Sequence, residues 1–239
     1  MRADKFLAGQ GIYTRKEVKD FFKKKKVTIN GEIVTDGSVH IDEKSDIIML
    51  DNNIVTYQKY VYLMMNKPAG YISATEDAKD PTVIDLLPEE YMHFHPFPVG
   101  RLDKDTVGLL LLTNDGELAH KLLSPKKKVP KIYLAKVEKE INDKDIKAFK
   151  EGIYIPEGDY TTMPGNLEIV EKGDNPLCKV TICEGKFHQV KRMFEKRNNK
   201  VLFLKRITFA GLNLDEKLAE GQVRQLTDHE LKIIGKEKA

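Results

Sequence analysis

Hydrophobic and polar positions alternate along much of the chain after residue 59, and a two-residue period is typical of half-buried β-strands. Alternating stretches, together with short continuous apolar runs, predict strands over residues 60–65, 96–102, 109–113, 131–138, 177–184 and 205–212. Residues 116–123 and 187–197 are predicted helices, the first with Asp115 as its N-cap and Ser124-Pro125 as its end. Meandering strands with helices between them predict an α+β domain on a mixed, mostly antiparallel sheet flanked by helices.

The first fifty residues follow a different pattern. Two short helices are expected between residues 2 and 26, the second with Thr14 as N-cap and Glu17 as its capping-box partner. Residues 27–34 predict a hairpin because Asn30-Gly31 supplies the positive φ angles of a tight turn, and a further strand is expected over 46–50. The polar stretch 51–59 is the expected linker. The sequence therefore predicts one domain over residues 1–58 and another over residues 59–239.

The composition excludes several classes of protein. The 239 residues, 41% of them hydrophobic, are enough for a sizeable core plus a small module and are unlike those of a disordered chain. The longest uncharged apolar runs, 61–65 and 109–112, are far shorter than a membrane span, and the chain opens on charged residues rather than a signal peptide. Cys178 and Cys183 fall on opposite faces of a strand, which disfavours a disulfide or a zinc site. A reduced, cytoplasmic protein is expected.

The net charge of +3 conceals three basic segments. Residues 1–31 hold nine Lys or Arg against three acids, residues 121–136 hold six lysines and no acid, and residues 186–206 hold eight basic residues against Glu195. Any one segment is equally well explained as a solvated, lysine-rich face. The three together favour a polyanion, most simply a nucleic acid, that lies across several elements.

The N-terminal segment resembles the alpha-L RNA-binding domain first described in a ribosomal small-subunit protein. The resemblance rests on residues 2–7 (Arg-Ala-Asp-Lys-Phe-Leu), 14–18 (Thr-Arg-Lys-Glu-Val) and 27–32 (Val-Thr-Ile-Asn-Gly-Glu). In that family the second helix and the hairpin carry the RNA-facing cations, which implies this role for Arg15, Lys16, Lys19 and the lysines of 23–26. The alternative is a plain helical cap with a lysine-rich tail.

The most informative stretch is residues 100–116, Gly-Arg-Leu-Asp-Lys-Asp-Thr-Val-Gly-Leu-Leu-Leu-Leu-Thr-Asn-Asp-Gly. A carboxylate in such a loop is held by the apolar strand that follows yet stays reachable, although by itself the stretch is equally well a polar turn. It resembles the active-site motif of the pseudouridine synthases that modify ribosomal RNA, and within them the small-subunit (16S) enzymes. Residues 63–71, 131–133, 184–194 and 221–226 match further motifs of that family in order, which implies the pseudouridine synthase fold along nearly the whole chain.

The family's reaction breaks the N1–C1′ bond of uridine, turns the base and joins C5 to C1′, with no metal or cofactor. The resemblance places the required ionised carboxylate at Asp103, as a nucleophile on C1′ or a base at C2′, and both roles stay open. It places the cation that keeps this carboxylate ionised at Lys191. Tyr133, on the strand face of Ala135 and Val137, is implied to stack on the target uracil.

Other side chains are expected to contact RNA. Arg101 is expected to enter the space left by a flipped nucleotide or to hold a phosphate, and Arg192 to make a neighbouring contact. The loop residues Lys126, Lys127 and Lys128 offset the cost of extruding the base through phosphate contacts. The implied partner is 16S ribosomal RNA or a pre-ribosomal small-subunit particle, with uridine 516 as the target by resemblance. A monomer is expected.

Three alternatives are weighed against this interpretation. A glycoside hydrolase would use Asp103 and Asp105, but two carboxylates two residues apart rarely flank a sugar, and the chain has no tryptophan to serve as a sugar platform. A pseudouridine synthase acting on 23S ribosomal RNA is the second. A non-catalytic RNA-binding assembly factor is the third, and the intact set of Asp103, Tyr133 and Lys191 argues against it.

Overall fold

The computed structural model describes residues 1–9, 12–43, 45–55 and 58–236. Its α-helices in these ranges are α1 (Ala3–Ala8), α2 (Arg15–Lys23), α3 (Glu89–Met92), α4 (Gly116–Leu123), α5 (Asp143–Glu151), α6 (Gln189–Glu195) and α7 (Asp228–Ile233). Its strands are β1 (Val27–Ile29), β2 (Glu32–Ile33), β3 (Ile48–Leu50), β4 (Asn53–Ile54), β5 (Tyr62–Lys67), β6 (Phe97–Pro98), β7 (Val107–Thr113), β8 (Lys131–Val137), β9 (Tyr154–Ile155), β10 (Tyr160–Thr161), β11 (Asn166–Glu171), β12 (Leu177–Ile182), β13 (Val201–Phe209), β14 (Leu212–Asn213) and β15 (Val223–Gln225). Short 3-10 turns lie at Val83–Leu86, Pro125–Lys127 and Pro156–Gly158.

The chain divides into two units, one of Met1–Val61 with Glu89–His95 and one of Tyr62–Pro88 with the chain from Pro96 onward. The division into independently folding domains 1–58 and 59–239 stays a prediction. None of the helices in the described ranges is long and apolar enough to cross a lipid bilayer.

In the first unit, α1 and α2 accompany an antiparallel sheet in the order β2-β1-β3-β4. The predicted capping box is present, since the Glu17 backbone N–H donates to the Thr14 hydroxyl while the Glu17 carboxylate accepts from the Thr14 backbone N–H. Asn30 and Gly31 have φ angles of 52° and 87°, as the predicted hairpin turn requires. Phe6, Phe22 and other apolar side chains of both helices pack against β1 and β3 in a small core.

The predicted linker over residues 51–59 is partly wrong. Asn53 and Ile54 form β4, which pairs with β3. Asp51 and Asn52 make this possible, because their φ angles of 49° and 65° form the tight turn between the two strands. Thr56 and Tyr57 of the predicted linker lie outside the described residues.

The second unit is built on a sheet whose main strand order is β11-β12-β8-β13-β7-β5-β15, with β14 and β6 added beside β13 and β7. The pairing of β13 with β7 is parallel, and the other pairings along this path are antiparallel in the described residues. This topology confirms the expected α+β fold on a mixed, mostly antiparallel sheet. The register places Arg206 of β13 beside Gly108 of β7 and opposite Tyr133 of β8.

Two predicted strands differ from the structure, one by being shorter and the other by being divided by a turn. Of residues 96–102, only Phe97–Pro98 is a strand, because proline lacks the N–H that a ladder needs and Gly100, at φ 80°, turns the chain away. The predicted strand over 205–212 is the end of β13 and the start of β14. Ala210 and Gly211, both at positive φ, form the tight turn between them.

Strand β7 is the centre of the larger core, and all seven of its residues are buried. Leu109 and Leu111 pack with apolar side chains of α4 and α7. The loop of residues 100–106 leads directly into this strand, so a rigid element fixes one end of the loop.

Candidate active site

A cleft of about 240 Å³ lies where the loop before β7, the start of β8, the loop after β12 and the first turn of α6 come together. It brings together four of the predicted site residues, Arg101, Asp103, Tyr133 and Lys191, which come from three separate segments of the sequence. The fold therefore assembles the set that the motifs indicated.

Lys67, the last residue of β5, anchors the backbone of the Asp103 loop. Its fully buried Nζ donates to the backbone carbonyl oxygens of Pro68, Asp103 and Thr106 at 3.0, 3.1 and 2.9 Å. Burial lowers the pKa of Lys67 to about 8, although the negative charges of Asp103 and Asp105 oppose this shift. The backbone at Asp103 is thus fixed by a side chain that the motif contained but whose task the sequence did not reveal.

Lys191 is the cation that faces Asp103. Its Nζ lies 3.2 Å from Oδ2 of Asp103 and 2.6 Å from Oδ1 of Asp105. Burial works to lower the pKa of Lys191, but its hydrogen bonds and charge interactions with the two carboxylates outweigh burial and raise that pKa. Both carboxylates, on one loop, thus contact the same ammonium group rather than lying on opposite sides of a bound sugar, an arrangement unsuited to a glycoside hydrolase.

Tyr133 lies on the buried face of β8, as its strand alternation predicted. Directly opposite on β13 is Arg206, which is 2% exposed and whose Nε donates to the carbonyl oxygen of Leu109 at 2.8 Å. The motifs did not single out Arg206. Its place two residues after buried Leu204 on an alternating strand is the signal that puts it on the buried face.

His188 also lies close to Asp103. Its Nε2 is 3.6 Å from Oδ1 of Asp103, and its ring stacks on Phe187 with 3.8 Å between centroids. The backbone there is anchored because the Gln189 amide donates to the Glu184 carboxylate at 2.8 Å. The charged or polar groups around Asp103 therefore come from the end of β5 (Lys67), the residue before α6 (His188) and α6 itself (Lys191).

Arg192 lies outside the lining of the cleft. Its guanidinium is 5.1 Å from the centroid of the Phe187 ring, and its positive charge opposes the rise that burial causes in the pKa of Tyr160. Lys126, Lys127 and Lys128 are exposed in and after a 3-10 turn and do not line the cleft either.

The predicted RNA-facing residues of the first unit, Arg15, Lys16 and Lys19, are all exposed on α2. Arg15 and Lys19 line a second cleft within that unit, of about 640 Å³, together with Lys5 and Lys23. A concave surface with several cations and a helix face suits a polyanionic ligand.

The two cysteines are not linked. Cys178 is buried in β12, and burial raises the pKa of its thiol to about 12, whereas Cys183 is partly exposed. Within the described ranges, no group of three His, Cys, Asp or Glu side chains is arranged to hold a metal ion.

Known proteins are similar to this chain along its whole length. The family model for RNA pseudouridylate synthase matches residues 61–196, and the model for the S4 domain matches residues 1–48. The chain is 47% identical to an uncharacterised RNA pseudouridine synthase of Bacillus subtilis over 100% of both chains. It is 36% identical to ribosomal small subunit pseudouridine synthase A of Yersinia pestis over 98% of both.

A solved structure supports the same assignment. The crystal structure of a pseudouridylate synthase, 36% identical in sequence, matches 98% of this chain and 99% of its own with a TM-score of 0.68. The sequence motifs, the fold and these relatives agree, and the chain belongs to the RNA pseudouridine synthase family, with an S4 domain at its N-terminus.

Proposed function

We propose that this protein converts one uridine of 16S ribosomal RNA to pseudouridine, at uridine 516 by resemblance. The observation that carries the proposal is the pairing of Asp103 with Lys191 in a cleft that also holds Tyr133. The relatives named ribosomal small subunit pseudouridine synthase A, among them those of Yersinia pestis and Haemophilus influenzae, favour the small subunit over a 23S target.

Asp103 supplies the reacting carboxylate. It attacks C1′ as a nucleophile or removes a proton from C2′ as a base, and in either case the N1–C1′ bond breaks. The base turns, C5 joins C1′, and the proton lost from C5 is balanced by one gained at N1. Lys191 stabilises the carboxylate charge at 3.2 Å, and Lys67 holds the backbone so that this charge stays in place.

The target base must leave the RNA stack to reach Asp103, which costs a few kcal/mol. Tyr133, on the wall of the cleft, offers the extruded uracil an aromatic face. Arg101 is exposed at the same cleft and is placed to occupy the vacated position or to hold a phosphate.

Contacts away from the cleft supply binding energy for this extrusion. Phosphates are neutralised by the exposed cations of α2 (Arg15, Lys16, Lys19) and of the turn after α4 (Lys126, Lys127, Lys128). Arg192, which is partly exposed, contributes in the same way. We infer that the protein acts as a monomer on 16S ribosomal RNA or a pre-ribosomal small-subunit particle, in the cytoplasm where that substrate is made.

Replacing Asp103 tests the reaction directly. Asp103→Asn keeps the shape but removes the nucleophile and base, so RNA binding is expected to persist while pseudouridine formation falls by at least about 1,000-fold. Asp105→Asn is the matched control, two residues away on the same loop, and is expected to keep much of the activity. Near-normal turnover by Asp103→Asn would contradict the assignment.

Mapping pseudouridine in ribosomal RNA from cells with and without the protein tests the target. One position of 16S RNA is expected to lose its modification and to regain it when the parent chain, but not Asp103→Asn, is returned. A lost position in 23S RNA would keep the activity and overturn the target. Free 16S RNA and small-subunit particles, supplied separately to the purified protein, identify the substrate form.

A further inference from the structure

Arg206 is a buried cation at the cleft that forms no ion pair with a carboxylate in the described part of the chain. Besides the bond to Leu109, its guanidinium lies 4.6 Å from the ring centroid of Phe209, and its Nη2 has no hydrogen-bond partner among the described residues. A buried charge is costly unless another group compensates it. A polar group close to Arg206 is therefore required to compensate its buried charge.

Tyr133 is the polar side chain that faces Arg206. The pairing of β8 with β13 sets Tyr133 directly opposite Arg206, and both line the same cleft. Burial lowers the pKa of Arg206, while a hydrogen bond and charge interaction with Tyr133 oppose the shift. A guanidinium has donors only, so a hydrogen bond between these two facing side chains has the phenol oxygen as its acceptor and leaves the phenol O–H to point elsewhere.

We propose that Arg206 is a positioning residue for the isomerisation and acts through Tyr133. It fixes the phenol oxygen against the sheet and directs the hydroxyl proton of Tyr133 into the cleft, where the uracil is to be held. Its positive charge also strengthens that hydroxyl as a donor. Arg206 itself does not touch the base, and this inference rests on the proposed function.

A purely structural role makes a different prediction. Arg206 lies between β7 and β8, so its removal lowers stability whatever else it does. A brace of this kind, once the protein is folded, leaves the turnover rate of the folded fraction unchanged. Removal of a positioning residue lowers kcat and leaves KM for RNA nearly unchanged. Once the tyrosine hydroxyl is gone, the same removal has no further effect on kcat.

The test is a double-mutant cycle on the full-length protein. Arg206→Met, Tyr133→Phe and the double variant are assayed for kcat and KM on 16S RNA fragments, alongside thermal unfolding. Arg206→Met is expected to lower kcat by about 10- to 100-fold, the range for losing one hydrogen bond to a charged group. The double variant is expected to match Tyr133→Phe, and Arg206→Lys to recover part of the loss because it keeps the charge.

Two controls separate the possible failures. Arg197→Met removes a half-buried guanidinium that lies away from the cleft and pairs with Asp145 at a distance of 2.8 Å. This variant is expected to have lower stability but an unchanged kcat. The parent and Asp103→Asn show whether the proposed function holds at all. If Arg206→Met does not fold, Arg206→Lys with and without Tyr133→Phe gives the same cycle.

The outcomes are distinct. If the losses of Arg206 and Tyr133 variants multiply in the double variant, Arg206 does not act through Tyr133. An unchanged kcat in Arg206→Met would leave it a structural brace. Either result overturns the inference while an active parent and an inactive Asp103→Asn leave the proposed function intact.

Discussion

Lys191 divides its charge between two carboxylates of one loop, and the shorter distance is to the more exposed one. The side chain of Asp105 is 72% exposed and that of Asp103 is 27% exposed, so solvent screens the contact with Asp105 more strongly. The longer contact, with Asp103, is therefore the one whose electrostatic effect is better preserved inside the cleft.

Replacing Lys191 tests this pairing. Lys191→Met leaves two facing carboxylates without their cation, and we expect pseudouridine formation under single-turnover conditions to fall by about 100-fold or more. Lys191→Arg keeps the charge and is expected to stay within about tenfold of the parent. Adding Asp103→Asn to Lys191→Met is expected to raise thermal stability, because one uncompensated charge is removed. A parent-like rate in Lys191→Met would show that the pair has no part in the reaction.

The motifs located the proposed reacting residues better than the residues that support them. Asp103, Tyr133 and Lys191 carry side-chain chemistry that a pattern of residue types records, and the fold brings them to one cleft. Lys67 bonds backbone carbonyl oxygens, which every residue has, so no partner in the sequence points to its task. Arg206 meets Tyr133 through strand order, which alternation alone does not specify.

At the scale of elements, the parallel pairing of β7 and β13 depends on Gly108. Its φ is 101°, and a Cβ at this position would collide with the carbonyl oxygen of Arg206 on the neighbouring strand. The two strands therefore approach this closely because residue 108 has no side chain. The same pairing holds the end of the Asp103 loop and the strand that carries Arg206.

We expect Gly108→Ala to destabilise the fold by about 2 kcal/mol or more, because strain at positive φ adds to a clash with backbone. Gly221→Ala is the matched control, since Gly221 has φ 84° with open space around its Cβ position. Its cost is expected to be about 1 kcal/mol from backbone strain alone. Urea unfolding monitored by circular dichroism measures both, and equal losses would show that the close approach has no energetic role.

The C-terminal helix α7 is joined to β15 by an ion pair. Arg224 donates to both carboxylate oxygens of Glu230 at 2.8 Å, and this bond holds the pKa of Glu230 down at about 2. The folded pKa lies below the ordinary value near 4.5, so this pair stabilises the fold above pH 4.5 and loses its effect as pH falls toward 2.

Glu230→Gln is accordingly expected to cost about 1 kcal/mol at pH 7 after solvent screening is allowed for. The difference between parent and variant is expected to shrink steadily between about pH 5 and pH 2, which unfolding midpoints across that range measure. A difference that does not change with pH would mean that packing, rather than charge, accounts for the effect.

Strand and helix positions can be predicted from the sequence where side chains determine them. The predictions fail where the backbone conformation determines them. The capping box at Thr14 and the alternation in β8 are side-chain features, and both are present as predicted. Strand ends at Gly100 and Ala210 depend on positive φ angles. Gly100 lies between Pro98-Val99 and the charged loop that begins at Arg101, and Ala210 is a residue type that rarely takes positive φ. The hydrophobic pattern therefore does not predict a turn at either position.

Across the whole molecule, cations are spread over surfaces of both units, so RNA affinity is expected to depend on many weak phosphate contacts. Changing Arg15, Lys16 and Lys19 together to Gln is expected to lower affinity and to reduce the slope of log affinity against log salt by about 2. Lys144, Lys147 and Lys150 to Gln, three exposed positions on α5, give the same change in net charge as a control. Equal effects of the two triple variants would mean that net charge alone, rather than the α2 surface, governs binding.

The buried ammonium of Lys67 also has a consequence for chemical labelling. With a pKa of about 8, roughly a tenth of this amine is unprotonated at pH 7, far more than for a lysine at its ordinary pKa. A larger fraction of Lys67 is therefore present as the free amine that acylating reagents attack, yet its complete burial keeps those reagents away. Its rate of acylation, followed by mass spectrometry, measures how often the Asp103 loop opens in solution, and RNA that closes the cleft is expected to slow it.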